Sequence, residues 1–358
     1  MKKWVWIVIA IIATIAIVAA ALLLREDVND KPVIKIGTIL PITGGAAGLG
    51  AYAHHGTVLA VEHANKNPGN KYRYVLVSEN TESNINRVPA IYNKLVKVDR
   101  VRALISIDSG AGQIIKPLAA RDRITHISSA ANNDIADGEF NFVNSTDMDE
   151  STRRIADWFA SRGWKRVAFA GTEYPAAVII LGHLEPELTR RGIKVVAREM
   201  VAVGHTNLQA EIANIMRAKP DVVFLYAIEP HLSLFGRDLR RAGYAGMISG
   251  LYTIAYAEYP EFLNGAIWLD YPSGDDGFKE VYLARFGHSP NPASAGMYDN
   301  INILVRMFEG AGSVAAGVAG HTGVFGEMQL RRGGRLIHNT LSFFEMKNGK
   351  PVRIEVKE

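Results

Sequence analysis

The strongest constraint on the fold is a regular alternation of short apolar runs with longer amphipathic segments, starting at residue 33 and continuing beyond residue 250. Residues 33–40, 103–107 and 222–226 are among the segments predicted to form strands. In the segment 176–191, Leu181, Leu184 and Leu188 share one face of a predicted helix. Strands that alternate with helices of about 10–15 residues are typical of parallel sheets covered on both faces. The sequence therefore predicts an α/β fold.

Thr206, with Gln209 three residues later, matches a capping box, which predicts that a helix begins at Thr206.

The number of strand–helix units is too large for one core. The chain has 358 residues, of which 48% are hydrophobic, which suffices for two core-forming domains. Two similar halves divided near Asp147 fit the pattern, and residues 270–276 form a second candidate boundary. Open α/β sheets bind ligands at the carboxyl ends of their strands. We therefore expect two lobes with a ligand cleft between them.

The N-terminus predicts transfer of the chain across a membrane. Lys2 and Lys3 precede residues 4–24, which are apolar apart from Thr14. A basic start marks the cytoplasmic end, so the rest of the chain is expected outside the cytoplasm. About 20 apolar residues span a bilayer, which favours a retained anchor. The small residues 19–21 leave a cleaved signal peptide as the alternative.

The composition argues against several function classes. The chain has no cysteine, which excludes disulfides and thiolate chemistry. The formal charge is +4, and no Lys/Arg run is interleaved with aromatic residues, so no nucleic-acid partner is expected. His54 and His55 are adjacent, so their side chains would point in different directions on a helix. Asp275–Asp276 is predicted to lie in a solvated loop. No acid, base and nucleophile combine, so we expect neither an enzyme nor a metal site.

One segment matches a dinucleotide-binding fingerprint. Gly48, Gly50 and Ala53 satisfy G-x-G-x-x-A. That motif needs its glycines directly after the strand, so that the pyrophosphate meets the helix N-terminus. Here Pro41 and further residues separate them from the strand. The interpretation we favour is a flexible loop beside the cleft, with no cofactor.

Polar side chains follow two predicted strands of the first half. They are Ser109, Ser128, Ser129 and Asn132. Hydroxyl, amide and backbone N–H donors at neighbouring strand ends are suited to holding a carboxylate. Asn132 is equally typical of an ordinary turn, and this alternative stays open.

The order and spacing of several short motifs resemble the type 1 periplasmic binding proteins, and most closely the leucine/isoleucine/valine-binding branch that feeds ABC importers. The similarity covers residues 33–358. The motifs that carry it lie at 34–44, 59–62, 127–132, 204–207, 298–299 and 326–350.

The resemblance implies two Rossmann-like lobes with parallel central sheets, each discontinuous in sequence, joined by three hinge crossings. Lobe 1 is then expected over 33–147 and 274–340, and lobe 2 over 148–273 and 341–358. Residues 1–32 form the membrane segment and a linker.

The resemblance also implies ligand-binding positions. Ser109, Ala130 and Asn132 fall on positions that hold the ligand's α-carboxylate, although the family commonly has threonine where Asn132 stands. Leu49 falls where the family often has an aromatic residue that packs on the ligand. Tyr174 falls on the tyrosine of the second lobe.

Two positions depart from the family pattern. The second-lobe aromatic position is Ile228, and the carboxylate that pairs with the ligand ammonium is replaced by Tyr252. A buried ammonium without a counter-charge is costly. We therefore expect a carboxylate or amide without the α-ammonium, unless Glu229 or another acid restores amino-acid binding.

The sequence thus predicts an extracytoplasmic solute-binding protein that captures a small polar ligand by lobe closure and passes it to an ABC permease. The alternative is a membrane-tethered domain that senses a ligand and signals to a partner protein.

Overall fold

The computed structural model describes residues 31–145, 147–338 and 340–358. The predicted membrane segment, residues 4–24, lies outside the described residues. Within the described part, no helix combines the length and the apolar character needed to cross a bilayer.

The strands form two sheets. In chain order they are β1 Val33–Leu40, β2 Arg73–Asn80, β3 Ala103–Ile107, β4 Thr125–Ser129, β5 Asn141–Asn144, β6 Arg166–Thr172, β7 Lys194–Val201, β8 Val222–Tyr226, β9 Met247–Gly250, β10 Ile267–Asp270, β11 Thr322–Gly323, β12 Gly326–Arg331, β13 Arg335–His338, β14 Ser342–Lys347 and β15 Lys350–Ile354.

The helices alternate with these strands. In chain order they are α1 Ala47–Lys66, α2 Val88–Asn93, α3 Ser109–Asp122, α4 Met148–Ser161, α5 Pro175–Arg190, α6 Gln209–Ala218, α7 His231–Arg241, α8 Asp276–Phe286, α9 Pro292–Arg306 and α10 Val314–Val318.

Both sheets have the same parallel centre. The first has the order β11-β12-β13-β5-β4-β3-β1-β2, and the second has the order β15-β14-β10-β9-β8-β6-β7. In each, five consecutive parallel strands are arranged 2-1-3-4-5. Strands from later in the chain complete one side: β13, parallel to β5, with antiparallel β12 and β11 in the first sheet, and antiparallel β14 and β15 in the second. This pattern confirms the predicted α/β class with two lobes.

The chain passes between the sheets three times. The passages lie between β5 and α4, between β10 and α8, and between β13 and β14. Each lobe is therefore discontinuous in sequence, as predicted. The individual boundaries at residues 147, 273 and 340 stay a prediction.

Each sheet is buried on both faces because its strands alternate between two cores. Along β6, Val167 and Phe169 pack with α4 and α5, whereas Ala168 and Ala170 pack with α6 and α7. Side chains of a strand point alternately to opposite faces, so one strand serves both cores. In the first lobe, α1 and α9 cover one face and α2 and α3 the other.

One local prediction is wrong. Thr206 and Gln209 match a capping box, but α6 begins at Gln209, and no side chain caps its N-terminus. Thr206 lies exposed in the preceding loop.

Helices α1 and α9 approach closely at a glycine. A methyl group on Gly56 would overlap the backbone carbonyl oxygen of Ser294. The close contact is possible only because Gly56 has no side chain. A methyl group there would meet a backbone carbonyl, which cannot turn away as a flexible side chain can.

We expect Gly56→Ala to lower the free energy of unfolding by about 1–3 kcal/mol, because α1 and α9 must separate to admit the methyl group. Gly182→Ala is the control, since Gly182 lies in α5 with open space around it. That change should stabilise the protein by up to about 1 kcal/mol through helix propensity. Urea titration measures both, and equal effects of the two variants would refute the packing argument.

Candidate functional site: the cleft between the lobes

The topology places one ligand-binding edge in each lobe. Strand order reverses between β1 and β3 and again between β6 and β8. At such a reversal, neighbouring loops leave the carboxyl ends of the strands in opposite directions and open a crevice. A cavity lies at this place and is lined by residues that follow these strands, including Gly45, Asp108, Tyr174 and Ile228. Both lobes contribute to it.

The structure brings together six of the seven predicted ligand-binding residues. They line the cavity and are Leu49, Ser109, Ala130, Tyr174, Ile228 and Tyr252. Their role in holding a ligand stays a prediction.

Asn132 does not line this cavity. Its side-chain oxygen accepts a hydrogen bond of 2.9 Å from the backbone N–H of Asp134 and caps a short 3₁₀ turn over Asn133–Ile135. Asn132 therefore makes the contacts of an ordinary turn residue, which is the alternative that the sequence left open.

Asp108 occupies the N-terminus of α3. One of its carboxylate oxygens accepts hydrogen bonds from the backbone N–H groups of Gly110 at 2.5 Å and Ala111 at 3.2 Å. Its φ is 111°, a conformation that favours glycine. Strained backbone of this kind is typical of functional sites. The protein's own carboxylate thus takes the place at which a helix N-terminus would otherwise bind a ligand anion.

Hydrogen bonds between described residues join the lobes across the cleft. The hydroxyl of Tyr174, in lobe 2, donates to the second carboxylate oxygen of Asp108, in lobe 1. The backbone N–H of Glu229 donates to the carbonyl of Gly45 over 3.1 Å. The described arrangement is therefore closed.

Three further tyrosines form one wall of the cavity. The rings of Tyr226 and Tyr252 meet edge to face, with centroids 5.6 Å apart, and their hydroxyls share a hydrogen bond. The ring of Tyr256 lies 6.3 Å from that of Tyr252. Burial raises the pKa of all three phenols, so they stay neutral at physiological pH.

Asp270 ends strand β10 and is 2% exposed. One of its carboxylate oxygens accepts a hydrogen bond of 2.7 Å from the backbone N–H of Tyr271. The other oxygen has no partner at hydrogen-bond distance and angle among the described residues, although the indole N–H of Trp268 is close enough to lower the pKa of this carboxyl. Burial raises the pKa of this carboxyl to about 8. The hydroxyls of Ser109 and Thr253, which line the same cavity, also lack partners within the described part.

The charged side chains that line the cavity are all acidic. They are Asp108, Glu229 and Asp270, and the described lining contains no lysine, arginine or histidine. Glu229 is already engaged, because its carboxylate accepts hydrogen bonds from the hydroxyl of Ser233 at 2.7 Å and the backbone N–H of Glu258 at 2.8 Å. Among the described residues, no group of three acidic or histidine side chains is placed to hold a metal ion.

Sequence reasoning missed Asp108, Tyr226, Tyr256 and Asp270 as site residues. Asp108 and Tyr226 end or directly follow predicted strands, so the same signal that selected Ser109 applies to them. Asp270 lies at a predicted lobe boundary, but its strand was not predicted.

Two α/β lobes that meet across a cleft lined by both define a two-lobed solute-binding protein. The model of a family described as periplasmic binding protein matches residues 33–350. The chain belongs to this family of solute-binding proteins, which confirms the predicted resemblance and the prediction that the chain is not an enzyme. Such proteins work outside the cytoplasm, as predicted. A sequence comparison with curated proteins gives no significant match.

Solved structures show the same fold. A leucine-binding protein from Thermotoga maritima is 22% identical, with a TM-score of 0.79 over 90% of this chain and 98% of that chain. A solute-binding protein of an ABC transporter from R. palustris, solved with benzoate, is 20% identical, with a TM-score of 0.81 over 90% and 96% of the two chains. The branched-chain amino acid transporter substrate-binding protein LivJ from Streptococcus pneumoniae, solved with isoleucine, is 18% identical, with a TM-score of 0.79 over 90% and 100%.

Buried carboxyls make stability depend on pH. Burial raises the pKa of Asp270 to about 8 and that of Asp299 to about 7. The folded state keeps protons that the unfolded chain has lost, so stability falls as pH rises through these values. Burial lowers the pKa of His126 and His338 to about 4, and their opposing effect is nearly complete by about pH 7.

We therefore expect the free energy of unfolding of the ligand-free protein to fall by about 1 kcal/mol between about pH 7 and 8.5. Asp270→Asn should remove most of this slope, and Asp299→Asn a smaller part. Urea titrations across the range provide the measurement. A slope that is unchanged in Asp270→Asn would contradict the assignment.

Proposed function

We propose that this chain captures a small polar solute outside the cytoplasm and delivers it to an ABC permease. The observation that carries the proposal is the cavity at the two facing crevices, enclosed by side chains of both lobes. Family membership supports capture without catalysis. The R. palustris protein, itself part of an ABC transporter, supports the partner by likeness of fold. Residues 4–24 would hold the protein at the membrane.

Binding is coupled to a hinge motion of the lobes in this proposal. The hinges are the three passages near residues 147, 273 and 340, and they separate lobe 1 (33–147 and 274–340) from lobe 2 (148–273 and 341–358). Few backbone segments join the lobes, so rotation about them leaves both sheets intact. The bond from Tyr174 to Asp108 forms only when the cleft is closed.

We expect Tyr174→Phe to weaken ligand binding about tenfold, because the change removes a hydrogen bond to a charged group worth about 1.5 kcal/mol in the closed state. Small-angle scattering should also show a larger radius of gyration at subsaturating ligand. Tyr259→Phe is the control, since Tyr259 is exposed and does not line the cavity. Equal affinities for the two variants would argue against the cross-cleft bond.

The predicted ligands are an amino acid, or a carboxylate or amide without the α-ammonium. Ser109, Ala130, Leu49, Ile228 and Tyr252 would provide the contacts, and all line the cavity. The neighbours solved with isoleucine and benzoate show that this fold accommodates both aliphatic and aromatic solutes.

Uptake distinguishes transport from sensing. The solute is identified as the one that raises the melting temperature of the purified protein, since a ligand that binds only the folded state stabilises it. We expect cells that lack this chain to lose high-affinity uptake of that solute. Normal uptake, combined with loss of a response to that solute, would instead identify a ligand-sensing protein.

A further inference from the structure

We propose that the solute bound in this cleft is an organic ammonium ion without a carboxylate, and that its cationic nitrogen pairs with Asp270. The inference rests on the proposed solute-binding function and names the ligand class. It replaces the anionic ligand that the sequence favours with a cationic one.

The free oxygen of Asp270 is the first observation. The carboxylate lines the cavity, is almost fully buried, and has one oxygen without a hydrogen-bond partner among the described residues. Burial raises the pKa of this carboxyl to about 8, so it is mostly protonated in the empty cleft near neutral pH. A cation that enters the cleft supplies the counter-charge that favours the ionised form. No basic side chain lines the described cavity to do this instead.

The second observation is that the N-terminus of α3, one place at which an anion could bind, is occupied. The N-terminal N–H groups of α3 already donate to Asp108. A ligand carboxylate placed there would lose these donors and would approach a like charge. Neither lysine nor arginine lines the described cavity to attract it. The donors left in the described cavity for a ligand carboxylate are the neutral hydroxyls of Ser109 and Thr253, which provide no counter-charge.

The third observation is the tyrosine wall beside Asp270. Tyr226, Tyr252 and Tyr256 all line the cavity, with neighbouring ring centroids 5.6 and 6.3 Å apart. Tyrosine faces attract ammonium groups, and several rings around one cation are typical of quaternary ammonium sites. Burial raises the pKa of Tyr252 and Tyr256; the charge of Asp270 raises both further, and that of Asp108 also raises the pKa of Tyr252.

The rest of the lining requires an organic body on the ligand. Leu49, Ile107, Ile228 and Leu232 lie in the same cavity and offer no ligands to a bare metal ion. An ammonium group attached to a short apolar or aromatic body fits both parts of the cleft.

Calorimetry with charge-matched pairs tests the ligand class on the full-length protein. Choline is compared with 3,3-dimethylbutan-1-ol, and benzylammonium with benzyl alcohol, because each pair differs mainly in the positive charge. We expect at least one cation to bind more than tenfold tighter than its neutral partner, and isoleucine and benzoate to bind more weakly than that cation. If neither cation binds, or if charge makes no difference, the inference is overturned.

Substitution of Asp270 tests the pairing. Asp270→Asn keeps the size of the side chain and should reduce the affinity for the cation more than tenfold, while the affinity for its neutral partner stays within about twofold. Asp299→Asn is the matched control, because Asp299 is a buried carboxyl that does not line the cavity. An undiminished affinity in Asp270→Asn, with the variant shown to be folded by circular dichroism, would refute the pairing.

The two proposals fail in different ways. If isoleucine or benzoate binds tightly and reduces the radius of gyration, the protein is a solute-binding protein that closes on its ligand, and only the cationic class is wrong. If a cation binds without any change in radius, the cationic class stands and the closure mechanism fails.

Discussion

The handedness of the strand–helix–strand connection determines where this molecule has its site. Parallel strands joined by right-handed crossovers place helices on both faces of a sheet, so both faces are buried in apolar cores. The ends of the strands are then the places at which polar groups can gather. Residues that follow β1 and β3 in one lobe and β6 and β8 in the other line the same cavity. A shared cleft follows from this arrangement.

The two buried carboxyl groups of the cleft differ in their hydrogen-bond partners. Asp108 receives two backbone N–H groups and a tyrosine hydroxyl, and the backbone hydrogen bonds offset part of the effect of burial, which still raises its pKa to about 6. Asp270 receives one backbone N–H and keeps an oxygen without a partner in the described structure. The hydrogen bonds of Asp108 hold parts of the protein in place. The oxygen of Asp270 without a partner can still bind a ligand.

Sequence patterns revealed the fold more completely than the site. The strand at Val33–Leu40 and the lobe topology follow from local periodicity and from resemblance, which depend on near neighbours in the chain. The capping prediction at Thr206 failed because a polar residue at helical spacing does not fix where the helix begins. Asn132 and Asp270 show the larger difficulty. Whether a side chain caps a turn or faces a cavity depends on neighbours that are distant in sequence, and one sequence does not reveal them.

Closure and ligand choice are linked through the dielectric environment of Asp270. In an open cleft, water solvates this carboxylate, so the empty site and the cation-bound site differ little in free energy. Closing removes the water, so the empty site keeps Asp270 mostly protonated near neutral pH, whereas a cation in the closed cleft favours the ionised form and is attracted to it more strongly than in water. The empty closed form and the cation-filled closed form therefore differ more in free energy than the corresponding open forms. A ligand shifts a conformational equilibrium only by its difference in affinity for the two states. A cation at Asp270 provides such a difference, whereas a neutral solute of the same shape provides less.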